Sequence, residues 1–317
     1  MMSKLLFVFV TFYVINGFNF KSFRQRDSLM NRLQPNMGSI NELNYENDGS
    51  CSGVCVSPIN INETGNMTQR YVVSGSPDLV TVIDNNKIIL QHNAQIQIAN
   101  QPATTYSPYI FQEYKLLGKT ISYTVDLSSI GCSCNSAFYL VTMPGYGSNG
   151  QPTPGKYEDY YCDANEVGGV WCWEMDIQEA NQYVTAATPH TCNGSPGTYI
   201  SSCDRGGCGT NSHNVDGGAM CPGGCKINTL QPFRYEISFG NTYHVKMIQN
   251  GNTFEFDACN SGGYISNMQQ ALNYGMVLVM SYWGDTYQTM QWLDGNTGCG
   301  GDCDTSGQAI FSDIAIY

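Results

Sequence analysis

Fourteen cysteines, all between Cys51 and Cys303, constrain this chain more than any other feature of its 317 residues. In an exported protein an even set of thiols pairs into disulfides, here up to seven, and such staples suit folds of many short elements. Export is what the first residues indicate: Lys4, an apolar run from Leu5 to Ile15 and small Gly17 have the form of a signal peptide over residues 1–17. A secreted, extracellular protein is expected. No membrane association is expected, because no later run reaches the ~20 apolar residues of a spanning helix. Which cysteine joins which is not legible. Cys221-Pro-Gly-Gly-Cys225 and Cys51-Ser-Gly-Val-Cys55 have spacings that zinc can use. In this setting bridges are the expectation, and no metal or other cofactor is called for.

Residues 18–50 are polar, carry Lys21, Arg24, Arg26 and Arg32, and read as a leader or propeptide, or as a segment packed along the domain edge. From Tyr71 onward the text is β: Tyr71–Val73, Leu79–Ile83, Lys87–Leu90, Gln95–Ile98 and the cleanly alternating Ile121–Leu127, with turn chemistry at Asp84-Asn85-Asn86. Many short strands, Gly-rich turns and hardly any amphipathic helix predict an all-β, disulfide-rich fold, a two-sheet β-sandwich over residues 51–317. No internal repeat and no Pro/Thr/Ser-rich linker occurs, so a single domain and a monomer are expected. Asn62 and Asn66 head glycosylation acceptor triplets, and Asn193 heads a weaker one because Pro196 follows. The excess of 26 acidic over 14 basic residues argues against a nucleic-acid partner. It is compatible with an uncharged polysaccharide, for which 21 Tyr, 13 Phe and 4 Trp supply flat apolar surface.

The chemistry is concentrated in Trp173-Glu174-Met175-Asp176-Ile177-Gln178-Glu179-Ala180-Asn181. Carboxylates alternate with apolar Met175 and Ile177, as in a half-buried strand whose side chains point to opposite faces at period 2. Glu174 and Asp176 share one face; Glu179 is one step out of phase. A single extra residue, a β-bulge near Ile177 and Gln178, returns Glu179 to the side of the other two. Two carboxyl groups ~5–5.5 Å apart are what a retaining glycosidase needs. Glu174 is then the nucleophile, Glu179 the general acid/base, and Asp176 the residue that hydrogen-bonds the nucleophile and separates the two carboxyl groups in acidity. An acidic strand edge or a calcium site would use the same residue types. No serine-hydrolase elbow, zinc-peptidase helix or dinucleotide fingerprint is present.

The run Glu174–Asn181, followed by Thr188-Pro189-His190-Thr191-Cys192, resembles the active-site strand of glycoside hydrolase family 7. That family comprises cellobiohydrolases and endoglucanases that cleave β-1,4-glucan with retention. The resemblance continues through Met276–Trp283 and Met290–Asp294 and covers most of residues 51–317. It implies a curved jelly roll with its substrate cleft on the concave face, and it implies roles for further residues. Asn135 and Tyr139 line the site near the scissile bond; Tyr161 and Asp163 contact glucose units on the non-reducing side. His190 sits near the acid/base and the leaving-group sugar, and Trp283 and Trp292 are stacking platforms on either side of the cleavage point. Of three arginine positions that grip the reducing end in processive members, the resemblance matches Val215, Arg234 and a shortened loop, Gly295 to Cys303, without arginine. Only nine residues separate Asp163 from Trp173, where the family has a long roofing loop, and Gln178 stands where it often has Trp.

The expectation is a secreted, retaining, endo-acting β-1,4-glucanase with an open cleft. A cellobiohydrolase-like exo mode, and a non-catalytic glucan-binding wall protein on the same fold, are the alternatives. Mixed-linkage glucan and xylan stay open as substrates.

Overall fold

A computed structural model describes residues 51–295 and 297–317. The expected signal peptide and leader, residues 1–17 and 18–50, lie outside the described residues. The described residues are mostly β: among them thirteen strands run in one hydrogen-bonded path, and three more attach beside it, in a 16-stranded sheet. The path runs Thr210–Asn211, Thr185–His190, Glu174–Ala180, Cys134–Val141, Met276–Gly284, Ala94–Ala99, Asn66–Val73, Cys55–Glu63, Gln308–Ile316, Thr120–Asp126, Phe233–Phe239, Tyr243–Gln249, Asn252–Asp257. The two layers expected from the sequence are present, but as halves of one continuous curved sheet folded over on itself. Tyr123 and Phe138 belong to strands far apart along the path, yet their rings stack 3.8 Å apart, because one strand lies over the other across the core.

Burial patterns record which half is which. Phe233–Phe239 and Tyr243–Gln249 alternate buried and half-buried residues, one face on the core and one toward solvent. Cys134–Val141 is buried throughout, and Glu174–Ala180 nearly so, since the core covers one face and the cleft walls and loops cover the other. The main core lies between the halves and includes Phe138, Met175, Ile177, Tyr123, Tyr235 and Phe311. A second apolar cluster, including Val141, Tyr161, Val167, Val170 and Val279, packs the segment after Met143 onto one end of the concave face.

The structure departs from the sequence reading in two places. The β text begins at Cys55, with the hairpin Cys55–Glu63 and Asn66–Val73, rather than at Tyr71. Glu63 and Asn66 flank its two-residue turn, with Asn62 one residue before, and Thr64 and Gly65 in the turn both take positive φ, as a tight hairpin requires. And Gly262–Tyr274 is a 13-residue helix. Ser261 caps it by accepting from the Tyr264 N–H, Gly275 ends it at φ 126°, and Ile265, Met268, Ala271 and Leu272 form its buried stripe. All fourteen cysteines are paired: 51–55, 132–299, 134–303, 162–172, 192–203, 208–259 and 221–225. The two spacings that zinc could use are both disulfides. No helix among the described residues is long and apolar enough to cross a membrane.

Candidate active site

Glu174–Ala180 pairs with Cys134–Val141 on one side and Thr185–His190 on the other, and both registers slip at the same point. Opposite Cys134–Val141, Asp176 faces Tyr139 and Gln178 faces Phe138, which leaves Ile177 as the extra residue. Opposite Thr185–His190, Ile177 and Gln178 together face Ala187. The bulge therefore lies where the out-of-phase carboxylate required it. Ile177 belongs to the core and Gln178 accepts there from the Tyr123 hydroxyl at 3.0 Å, while Glu174, Asp176 and Glu179 all line a cleft of about 780 Å³.

Each carboxylate has a partner of its own. The Ala164 N–H donates to Glu174 Oε2 at 3.0 Å, and Asn135 Nδ2 donates to Glu179 Oε1 at 2.8 Å. Asn135 Oδ1 in turn accepts from the Ala180 N–H, so one amide reads both the side chain and the backbone of that turn of strand. His190 Nε2 lies 3.0 Å from Asp176 Oδ2. Its Nδ1 lies 2.8 Å from the Asp204 carbonyl, an acceptor only, so Nδ1 carries a hydrogen and Nε2 is the nitrogen that faces the carboxylate. Burial pulls the imidazole pKa down, but Asp176, the Asp204 carbonyl and Glu179 outweigh it and hold the pKa above its ordinary value. Donor atoms of Glu174, Asp176 and His190 lie within 4.8 Å of one another, close enough to hold a cation, although both nitrogens of His190 are already engaged.

The loop Cys203–Cys208, a stretch the sequence reading passed over, lies flat on Thr188–His190. A Cβ on Gly207 would sit 2.6 Å from Thr188 and 2.7 Å from the Pro189 carbonyl, and its φ is +62°, so only glycine fits there. The Gly262–Tyr274 helix anchors this loop through Tyr264, whose hydroxyl donates to Asp204 Oδ2 at 3.0 Å. Arg205, in the same loop, lines the cleft with its guanidinium 4.7 Å above Trp171 and 3.2 Å from Glu166. Asn165, Thr188, Asn211, Ser281, Gln288 and Gln291 also line the cleft. None of these stands out by spacing, because each is a lone polar residue on a short element or loop and makes no periodic pattern with the others.

The other wall is aromatic. Trp283 lies next to the end of the strand Met276–Gly284, and Trp292 lies in the helix Tyr287–Asp294. Their rings stack on each other, with centroids 6.3 Å apart and 24° between planes. Together they form one continuous aromatic platform lining the cleft. Tyr139 lines the cleft, and its hydroxyl lies 2.9 Å from that of Tyr161. Asn135, Tyr161 and Asp163 are fully buried beneath the lining. Asp163 Oδ1 accepts from the N–H groups of Asn165 and Val167 and so shapes the loop that carries them.

Arg234 requires correction. Its neighbours Phe233 and Tyr235 point into the core, so alternation sends Arg234 to the outer face of the opposite layer, where it pairs with Glu236 and Ser122. It does not reach the cleft. Val215, at the first arginine position, is exposed.

Comparison with known proteins agrees with this architecture. The model of glycosyl hydrolase family 7 matches residues 47–168 and 245–310, more than half of the chain, in two stretches that bracket the carboxylate strand. An endo-beta-1,4-glucanase, celB of Aspergillus oryzae, is 32% identical over 248 residues, 61% of this chain and 59% of its own length. Endoglucanase EG-1 of Hypocrea jecorina is 33% identical over 221 residues, 58% of this chain and 47% of its own. The chain thus spans about half to three-fifths of the length of these curated relatives. Among solved structures, the Humicola insolens endocellulase EGI has a TM-score of 0.66 at 20% identity, covering 84% of this chain and 98% of that chain. A family 7 cellobiohydrolase from Daphnia pulex has 0.63 at 18%, covering 85% and 97%. These likenesses are of fold, and together with the family match they establish that this chain belongs to glycosyl hydrolase family 7.

Proposed function

We propose that the protein is a retaining β-1,4-glucanase that cuts within chains and works outside the cytosol. The observation that carries this reading is the bulge at Ile177, which sets three carboxylates on one face of a cleft walled by a tryptophan pair. The Glu174 carboxylate attacks the anomeric carbon while Glu179 protonates the departing oxygen; Glu179 then takes a proton from the water that releases the sugar. Asp176, bonded to His190, sits between them and keeps the nucleophile oriented. Sugar C–H groups pack on the face of the tryptophan platform. Endo action is favoured by the nine-residue connection from Asp163 to Trp173, pinned by the Cys162–Cys172 bridge, which leaves no span for a roof. None of the three positions of the reducing-end grip supplies an arginine to the cleft. Seven disulfides favour an oxidising compartment.

The test is the viscosity of soluble carboxymethyl cellulose, followed beside release of short sugars and the anomeric form first produced. A rapid viscosity drop with the β-anomer appearing first, abolished in Glu174→Gln, is the expected result. Cellobiose release at nearly constant viscosity would mean exo action. Binding of β-glucan without turnover would mean a wall-binding protein.

A further inference from the structure

The bulge that turns Glu179 into the cleft creates a demand on the opposite face of the strand. An extra residue has no ladder partner, and a buried backbone group left unpaired costs of order 1–3 kcal/mol. At Ile177 the demand is met from the other layer: Tyr235 Oη donates to the Ile177 carbonyl at 2.8 Å. Beside it, Tyr123 Oη donates to Gln178 Oε1 at 3.0 Å, so each of the two core-facing bulge residues has its own phenol.

The donors are rigid. Tyr123 and Tyr235 face each other in the register of Thr120–Asp126 and Phe233–Phe239, with rings stacked 5.4 Å apart. Tyr123 also stacks on Phe138, the cross-strand partner of Gln178 at the slip itself. Both tyrosines are wholly buried, and burial pushes their hydroxyl pKa values far above the usual range, so both stay protonated donors at any working pH. A bulge is otherwise free to migrate along its ladder, and its loss, or a shift of two residues toward Ala180, would send Glu179 to the wrong face. A fixed hydroxyl aimed at one carbonyl decides which residue is the extra one.

We propose that Tyr235, assisted by Tyr123, is a positioning residue for the acid/base: the outer layer pins the bulge through the core and thereby keeps Glu179 in the cleft. This inference rests on the role given to Glu179 above. The experiment compares Tyr235→Phe, which keeps the ring and its stacking, with Tyr243→Phe. Tyr243 is equally buried and donates to the Ile265 carbonyl at 3.0 Å, away from the carboxylates. Each variant and the wild type are assayed for kcat/KM on cellotetraose, whose leaving oxygen needs a proton, and on dinitrophenyl β-cellobioside, whose leaving group does not. Thermal unfolding is followed in parallel.

Tyr235→Phe should lose roughly ten- to hundredfold on cellotetraose, in the range that misplacement of a catalytic group by a fraction of an ångström to one ångström produces. On the dinitrophenyl substrate it should stay within about twofold of wild type. Tyr243→Phe should show a similar fall in Tm and no change on either substrate. Tyr123→Phe should repeat the Tyr235→Phe pattern more weakly, which keeps the test open if Tyr235→Phe does not accumulate. Equal losses on both substrates, or variants indistinguishable from Tyr243→Phe, would overturn the positioning role while leaving the enzyme reading intact. A wild type inactive on both substrates would overturn the two together.

Discussion

His190 shows how a single side chain ties the cleft to pH. With Nδ1 committed to the Asp204 carbonyl, its contact with Asp176 is attractive when Nε2 also carries a proton. The folded-state pKa is raised, so the stabilising effect of protonation is fully present below the unfolded value of about 6.5 and is lost as pH rises through the folded value. His190→Gln should therefore lower Tm most near pH 5 and progressively less above neutrality, which a series of thermal melts would show. Asp159 runs the other way. Burial raises its pKa to about 6, and this outweighs the hydrogen bond it accepts from the Tyr161 N–H. Its charge is a liability above that pH, so Asp159→Asn should stabilise the protein by about 2 kcal/mol at pH 7 and by nothing near pH 3. Denaturant titration at the two pH values checks this. At this scale the sequence was most informative where periodicity broke. A carboxylate one step out of phase located the bulge to within a residue, because strand geometry allows few remedies. Arg205 was invisible, since its place in the cleft comes from a disulfide loop lying on glycine, and Arg234 was misplaced because a family match on a short motif ignored the alternation of its own strand.

The helix Tyr287–Asp294 carries the tryptophan wall and ends in an unusual anchor. Asp294 lies at the negative end of the helix dipole and is completely buried, both unfavourable for a carboxylate, and burial raises its pKa against the hydrogen bonds that lower it. Those bonds explain its presence. Asp294 Oδ2 accepts from the Ser133 N–H at 2.8 Å, and Oδ1 accepts from Asn181 Nδ2 at 2.6 Å. Ser133 and Asn181 flank the segments that hold Asn135 and Glu179, so one carboxylate fixes the aromatic wall relative to Glu179. Asp294→Ala should cost about 3 kcal/mol in denaturant titrations, as expected for a buried charged hydrogen-bond centre, and should raise KM for long glucans more than it lowers kcat. The strand and hairpin order was largely readable from alternation and turn residues. The helices were not, since Gly262–Tyr274 opens with two glycines and Trp292 sits among polar residues; tertiary packing and the caps at Ser261, Gly275 and Gly295 decide them.

For the molecule as a whole, the number of bridges was legible and the pairing was not, because pairing depends on distance in space; Cys132 and Cys299 are 167 residues apart. Cys132–Cys299 and Cys134–Cys303 run side by side, so once one has closed, the other encloses only a few residues more. By loop-closure entropy, removing either alone should cost about 2 kcal/mol and removing both at least about 5 kcal/mol. A double-mutant cycle with serine replacements measures that non-additivity. The same long reach appears in the sheet. Gln308–Ile316 lies between Cys55–Glu63 and Thr120–Asp126, at the seam where the two halves of the sheet meet. During synthesis, the earlier strands wait, unsealed along that edge, until Gln308–Ile316 has emerged. Folding is then slow, as expected for such distant contacts. The cleft-bearing half must stay soluble through that interval, which makes the tempo of sheet closure and of bridge formation, rather than the chemistry of the cleft, the step at which yield of the protein is decided.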